Sequence, residues 1–261
     1  MIPTTSTPTI VITGASAGIG EETAVLFAQK GWRVIVAARR LERLEGLAKK
    51  LLKQNAPELV VLKLDVTDKH SVKEFASKTL EITQGKIDVL FNNAGLALGV
   101  DHISSGSVSD WETMIDTNVT GLLRVTREFL PAMLSKNYGH VINMGSIAST
   151  EVYEGGSVYC ATKHAVRAIT KTMRLELNGT PIRVSLIDPG MVETDFSMVR
   201  FNHDAERAKK VYKGLKPLSP RDVAECVWFM AERPAHVNIE EIVLMPIAQA
   251  APHKVSRSQA D

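Results

Sequence analysis

Thr9-Ile10-Val11-Ile12-Thr13 runs directly into Gly14-Ala15-Ser16-Ala17-Gly18-Ile19-Gly20, and a helical pattern from Glu21 to Lys30 follows. The first five residues are apolar or β-branched throughout, which predicts a strand buried on both faces. Glycines at 14, 18 and 20 let the chain turn sharply and bring backbone N–H groups against a ligand with no β-carbon in the way. The helix start adds its positive dipole end. Gly14, Ser16, Ala17, Gly18, Ile19 and Gly20 are therefore expected to cradle a pyrophosphate. The spacing is Gly-x-x-x-Gly-x-Gly rather than the commoner dinucleotide form, so the strand before and the helix after carry the reading.

Working outward, the same alternation continues. Apolar runs at Arg33–Ala37, Val60–Leu64, Val89–Asn92, Val141–Met144, Arg183–Ile187 and Ile242–Leu244 are separated by helical patterns at Glu42–Gln54, Ser71–Gln84, Asp110–Ser135, Tyr159–Leu177 and Pro220–Glu232. Apolar strands separated by helices predict an α/β fold, a doubly wound, Rossmann-type parallel sheet of about seven strands with helices on both faces. Gly31 and Gly179 follow helices as C-terminal stops, and Ser219 with Pro220 opens one. Residues 1–261 are expected to form one domain. Its least regular stretch, Val192 to Lys216, follows a strand end where such folds bind ligands, and is expected to be a substrate lid.

Composition narrows the partners. The balance of 31 basic against 29 acidic residues leaves +2, and no basic stripe with interleaved aromatics tracks a phosphate backbone, so nucleic acid is not expected. Cys160 and Cys226 are the only cysteines, with no zinc-like spacing, which predicts neither a disulfide framework nor a metal site. No apolar run approaches the ~18 residues of a membrane span, residues 1 to 8 carry no positive leader region, and Ser258-Gln259-Ala260-Asp261 is not a peroxisomal signal. A cytoplasmic protein without a membrane partner is expected.

The end of the second strand chooses the cofactor. Dinucleotide folds usually place an acid there to hold the NAD ribose, or an arginine to hold a 2'-phosphate. Here Ala37-Ala38-Arg39-Arg40 offers no carboxylate and two guanidinium groups, whose planar fork suits a phosphate. NADP is expected over NAD.

Tyr159 and Lys163 stand four residues apart, thirteen residues after Ser146. On a helix that spacing puts phenol and ammonium on one face, where a cation favours phenolate. The helical pattern around Asn118 accommodates an asparagine poorly, which hints at a special local role.

Taken together, Thr13 to Gly20, Asn92-Asn93-Ala94-Gly95, Asn118, Ser146, Tyr159 with Lys163, and Pro189-Gly190 resemble, in order and spacing, the short-chain dehydrogenases/reductases. The resemblance covers nearly the whole chain. It implies that Tyr159 exchanges a proton with the substrate oxygen, that Ser146 stabilises that oxygen, and that Lys163 holds the nicotinamide ribose. It further implies that Asn118 holds a water linking Lys163 to solvent. Asp65 and Val66 would meet the adenine, Asn93, Ala94 and Gly95 would line the dinucleotide path, and Pro189, Gly190, Val192 and Thr194 would meet the carboxamide and a phosphate. Asn92 is expected to bridge strands instead. A homotetramer, built partly on the helices after Asp110 and Tyr159, is also implied.

Asn93 to Gly99, Asp110 to Asn118, Thr194 to Phe201 and Pro246 to Pro252 resemble a narrower group, the NADP-dependent 3-hydroxy acid dehydrogenases that oxidise L-serine and L-allo-threonine. The resemblance implies a β-hydroxyl oxidised to a carbonyl, with a 2-amino product able to lose carbon dioxide. Such a substrate needs a cation for its carboxylate, and Arg200 in the lid is the candidate. A broad carbonyl (aldehyde and ketone) reductase uses the same residues and stays open, as does a non-enzymatic NADP-binding sensor, against which the intact Ser146, Tyr159 and Lys163 speak. A 3-oxoacyl carrier protein reductase would usually carry glycines after its last strand, and Ile242 to Ile247 has none.

Overall fold

The seven apolar runs become seven strands: β1 (Thr9–Thr13), β2 (Arg33–Ala38), β3 (Leu59–Lys63), β4 (Val89–Asn92), β5 (Gly139–Met144), β6 (Ile182–Pro189) and β7 (Glu241–Leu244). The structure is a computed structural model that describes residues 7–52 and 59–258. The expected helix end at Gln54, residues 1–6 and the tail from Gln259 lie outside the described residues. The strands pair in the order β3-β2-β1-β4-β5-β6-β7, every pair parallel. The chain thus winds outward from β1 to β3 and then returns to place β4 on the other side of β1. Such a reversal opens a crevice at the C-terminal strand ends, where open α/β sheets bind their ligands.

The helices are α1 (Gly18–Gln29), α2 (Leu41–Leu52), α3 (Lys69–Thr83), α4 (Val108–Ile115), α5 (Leu122–Lys136), α6 (Ser157–Glu176), α7 (Phe196–Arg200), α8 (Ala205–Tyr212) and α9 (Pro220–Ala231). Side chains alternate across the sheet, so Ile10 and Ile12 join one core with Phe27, Val36, Phe91 and Val227, while Val11 joins the other with Ile35, Phe75, Leu90 and Phe129. Burial of side chains this size is worth roughly 1.5–3 kcal/mol each, which ties each helix to its face. In the first core Phe27, Trp32 and Trp228 meet edge to face, with ring centroids 5.1 to 5.9 Å apart. Helix starts are fixed by side chains: Asp68 accepts from His70 N at the start of α3, and Ser219 and Asp222 form a reciprocal cap around Pro220.

Three features differ from expectation. The single helical pattern Asp110–Ser135 is broken into α4, a π-helical turn at Asp116–Gly121, and α5. A π turn carries one extra residue, and here it swings Asn118 inward to bond the backbone of Leu96. The lid stretch holds α7 and α8, whose lengths are too short for periodicity to announce. A C-terminal hairpin, β8 (Gln249–Ala251) with β9 (Lys254–Val255), was not anticipated for the same reason. Among the described residues no helix is long and apolar enough to cross a membrane.

Candidate active site

A cavity of about 730 Å³ opens along the C-terminal ends of the strands. Every residue singled out from the sequence lines it except Gly20 and Asn118. It has a nucleotide-sized groove over β1, β2 and β3, and a deeper part between Ser146, Tyr159 and the 192–216 stretch.

The groove is made largely by backbone. Gly14 has φ +67°, a conformation other residues adopt at a cost, and a β-carbon on Gly20 would lie 2.5 Å from Asn93 Nδ2. That close approach lets Asn93 donate to the carbonyls of Thr13 and Gly14 at 2.9 and 3.2 Å, clamping the turn from the β4 side. Thr13 Oγ1 receives the amides of Asn93 and Ala94, at 3.1 and 3.0 Å. At the start of α1, Ala17 offers no side-chain cap, so the first helical amides keep their anion-binding capacity. These features fit a pyrophosphate.

At the end of β2 the two arginines divide. Arg40 reaches back, donating through Nε and Nη2 to Ser16 Oγ at 3.2 and 2.9 Å, whereas Arg39 stands exposed at the cavity rim. No carboxylate of β2 lies beside them. Asp65, at the end of β3, has Oδ1 engaged by Thr67 through its amide and hydroxyl, 3.0 and 2.7 Å away. Asn92 bridges strands as expected, its Nδ2 donating to Thr126 Oγ1 and Asn143 Oδ1, both at 2.9 Å.

The deeper part is made by side chains. Ser146 follows β5 and caps a short 3₁₀ turn, its Oγ accepting from Ala148 N at 3.2 Å. Ser149, a rival for its role, is buried beneath and bonded to Asp188, and Ser157 opens α6 without lining the cavity. Tyr159 and Lys163 share one face of α6, with Lys163 Nζ 5.8 Å from the phenol ring centroid. Lys163 Nζ donates to Met144 O at 2.9 Å.

The electrostatics differ from the simple expectation that Lys163 tunes Tyr159. Burial pushes the Tyr159 phenol above its ordinary value, neighbouring Tyr153 adds to that, and the opposing influences come from the Ser146 hydroxyl and the Arg200 guanidinium. Burial also lowers Lys163 to about 8. Desolvation outweighs the cation at this separation.

Asn118 lies behind the cavity wall. Its Oδ1 accepts from Leu96 N and its Nδ2 donates to Leu96 O, both at 2.8 Å, and Nδ2 also reaches Thr162 Oγ1 at 3.1 Å. The carboxamide therefore clamps the segment after Gly95, and it is this side chain rather than a cavity-facing one that the π turn produces.

Arg200 sits at the end of α7 with its guanidinium carbon 5.3 Å from the Tyr153 ring centroid and 5.7 Å from that of Tyr159. Its Nε donates to Gly99 O at 3.2 Å, while its own carbonyl accepts from Gly99 N at 2.9 Å. Nη2 is buried without a partner. Tyr212 ties the far end of the stretch back, donating to Val192 O at 2.8 Å. Tyr153 and Tyr212 were not foreseen as cavity residues. Neither belongs to a periodic pattern, and only their position after a strand end or in the irregular stretch could have drawn attention to them.

Three comparisons agree with this architecture. A family model described as short chain dehydrogenase matches residues 8–205. The chain is 45% identical over 242 residues to NADP-dependent 3-hydroxy acid dehydrogenase YdfG of Escherichia coli (strain K12), covering 92% of this chain and 96% of the relative. It is 44% identical over 261 residues to the NADP-dependent 3-hydroxy acid dehydrogenase of Schizosaccharomyces pombe, covering 97% of each. The closed form of a serine dehydrogenase complexed with NADP+ superposes with a TM-score of 0.90 at 43% identity, covering 96% of this chain and 100% of the other. With the strand order, the glycine turn and the Ser146, Tyr159 and Lys163 constellation on one cavity, the chain belongs to the short-chain dehydrogenase family.

Proposed function

We propose that this protein is an NADP-dependent dehydrogenase that oxidises the β-hydroxyl of small 3-hydroxy acids such as L-serine or L-allo-threonine. The observation that carries the substrate class is the Arg200 guanidinium, which presents a buried Nη2 without a partner beside Tyr159 in the cavity. A buried polar group left unpaired costs roughly 1–3 kcal/mol, so such a group calls for an acceptor, and a carboxylate supplies one with the opposite charge. An apolar ketone would leave that cost in place, which separates this reading from a general carbonyl reductase.

Gly14 to Ile19 would hold the pyrophosphate of NADP, Arg39 its 2'-phosphate, Asp65 and Val66 its adenine, and Asn93 to Gly95 the path between, while Pro189, Gly190, Val192 and Thr194 would meet the nicotinamide end. Bound there, NADP supplies the hydride acceptor. Ser146 donates to the substrate oxygen as charge develops on it, the oxyanion-hole logic with a side-chain donor. Tyr159 takes the hydroxyl proton. Burial raises its pKa, so a cation must lower it toward the working range, and Lys163, charged below about 8 and on the same face of α6, would supply that charge. Asn118 keeps the Gly95 segment in position rather than touching the reacting atoms. The 192–216 stretch closes the substrate side as a lid, held by the Gly99–Arg200 backbone pairing.

Purified protein should reduce NADP with L-serine, L-allo-threonine and 3-hydroxypropionate faster than with a simple secondary alcohol. Equal rates with the alcohol would remove the carboxylate requirement. Two further readings accompany this one. Exposed Ile115, Leu123 and Leu175 on α4, α5 and α6 support a homotetramer, checked by light scattering. The two unpaired cysteines support a reducing, cytoplasmic setting, checked by fractionation.

A further inference from the structure

Asp188 is buried at the end of β6, directly beneath Ser146, and belongs to neither the nucleotide groove nor the substrate pocket. Its Oδ1 accepts from Ser146 N at 2.7 Å and from Ser149 Oγ at 2.9 Å. Ser149 Oγ in turn accepts from Ser146 N at 3.1 Å, so the backbone of Ser146 is gripped by two linked acceptors. The fit leaves no slack, because a β-carbon on Gly145 would fall 1.8 Å from Asp188 Oδ1.

The other oxygen is in a different situation. Oδ2 is buried, and no protein donor bonds it. In the β6–β7 register Leu186 pairs with Glu241 and Asp188 with Val243, which places the Glu241 side chain on the same face of the sheet as the Asp188 carboxyl, diagonally across from it. Glu241 is held by Arg167 of α6, whose Nη2 lies 2.9 Å from Oε2. Two carboxyl groups sharing a buried space do not both ionise, and they hold one proton between them. Glu241 already has a donor in Arg167, whereas Asp188 Oδ2 is buried with none, so the proton is assigned to Asp188.

We propose that Asp188 is a positioning residue that works as a protonated carboxyl: Oδ1 accepts from Ser146 N and Ser149, while Oδ2–H donates to the Glu241 carboxylate. This arrangement satisfies every polar atom of the pair and fixes the angle at which Ser146 Oγ faces the substrate oxygen. Burial and the Glu241 neighbour raise the Asp188 carboxyl to about 7, in agreement with the geometry. The charged groups facing it are Lys163 from α6 and Glu241 from β7, the latter held by Arg167, with the Ser146 amide and the Ser149 hydroxyl from the turn. Because the folded value is raised, the stabilisation is complete below the ordinary carboxyl value of 3.8 and is lost as pH rises through about 7.

An asparagine reproduces this hydrogen-bond pattern, with Oδ1 accepting and Nδ2 donating, and cannot ionise. Asp188→Asn should therefore keep turnover within about threefold of wild type at neutral pH, whereas Asp188→Ala should lower kcat about 100-fold, the scale of losing an oriented oxyanion donor. Cofactor affinity, followed by NADPH fluorescence, should stay within about twofold in both. Difference infrared spectra of the whole protein, wild type against Asp188→Asn, should show a protonated-carboxyl stretch at neutral pH that fades as pH rises through about 7. The kinetic arm rests on the hydride-transfer reading above; the infrared band does not, so the two can fail separately. Asp188→Asn as impaired as Asp188→Ala, wild-type turnover in Asp188→Ala, or an ionised carboxylate in the spectrum would each overturn the proposal. Should Asp188→Ala not fold, the asparagine variant and the infrared band decide it alone.

Discussion

The two halves of the cavity are built from different materials. The nucleotide groove is backbone held by side-chain hydrogen bonds: Gly14 to Gly20 turn, Asn93 and Thr13 brace the turn, and Arg40 leans back on Ser16. The reacting half consists of side chains brought from positions 146, 159, 163 and 200, with Ser146 and Arg200 half-buried and Tyr159 and Lys163 buried and displaced from their ordinary pKa values in opposite directions. Holding a dinucleotide needs many fixed amides and little charge tuning, whereas moving a proton needs a few groups stripped of water. Substitutions in the two halves should therefore fail in different ways.

The largest separation is expected from Tyr159→Phe. The ring keeps its edge contact with Phe196, 5.8 Å between centroids, and its place beside Arg200, so folding and cofactor affinity should persist. Turnover should fall by about 10²–10⁴-fold, the range of general acid–base catalysis. Stopped-flow or steady-state kinetics with a parallel NADP titration checks it, and a joint loss of both would mean the halves are not separable. Next comes Arg39→Ala, which acts on the groove alone. Losing a charge-assisted phosphate contact of about 1.5–3 kcal/mol should weaken NADP by about 10–100-fold and leave NAD nearly unchanged. Equal losses would place the 2'-phosphate elsewhere.

The same division decides what could be read from the chain itself. β1 and β4 fall at Thr9–Thr13 and Val89–Asn92 as expected, since fully buried parallel strands are continuous apolar runs bounded by turns. The glycine turn is likewise local, contained in a few consecutive residues. The reacting half is not local. Ser146, Tyr159 and Lys163 could be chosen only through the family pattern, and their tuning by burial depends on neighbours such as Tyr153 that belong to no motif. Asn118 illustrates the boundary: its poor helical propensity was visible, but the π turn that aims it at Leu96 follows from tertiary contact. Asp188 falls just past the apolar run Arg183–Ile187 and carries no reading of its own, and its neighbours Glu241 and Arg167 become relevant only once β7 and α6 are laid beside β6.

Arg200→Ala sharpens the comparison from the substrate side. Its guanidinium touches no nucleotide-groove residue among its hydrogen-bond partners, so KM for a 3-hydroxy acid should rise about tenfold while NADP affinity holds. A ketone lacking a carboxylate should be turned over as before. If the ketone suffers equally, Arg200 serves lid closure through Gly99 instead of recognition.

The smallest effect lies at the opposite end of the sheet, where His140 enters β5 far from the cavity. Ser185 Oγ donates to Ile239 O, so its oxygen must receive the hydrogen of His140 Nε2, 2.7 Å away. This leaves Nδ1 buried and without a partner. Burial, reinforced by Arg183, pushes the imidazole well below its ordinary 6.5, so the ring is neutral in the folded chain. A depressed folded value means that the unfolded chain binds the extra proton first. Stability should be intact above about 6.5 and fall with acidification by up to about 1.4 kcal/mol per pH unit below it. Urea unfolding from about pH 5 to about pH 8, the range in which an ordinary imidazole changes charge, wild type against His140→Leu, isolates the slope, because the leucine variant cannot take up that proton. Parallel curves for the two proteins would show that another group governs acid stability, while cofactor affinity measured in the same series should remain unmoved by the substitution.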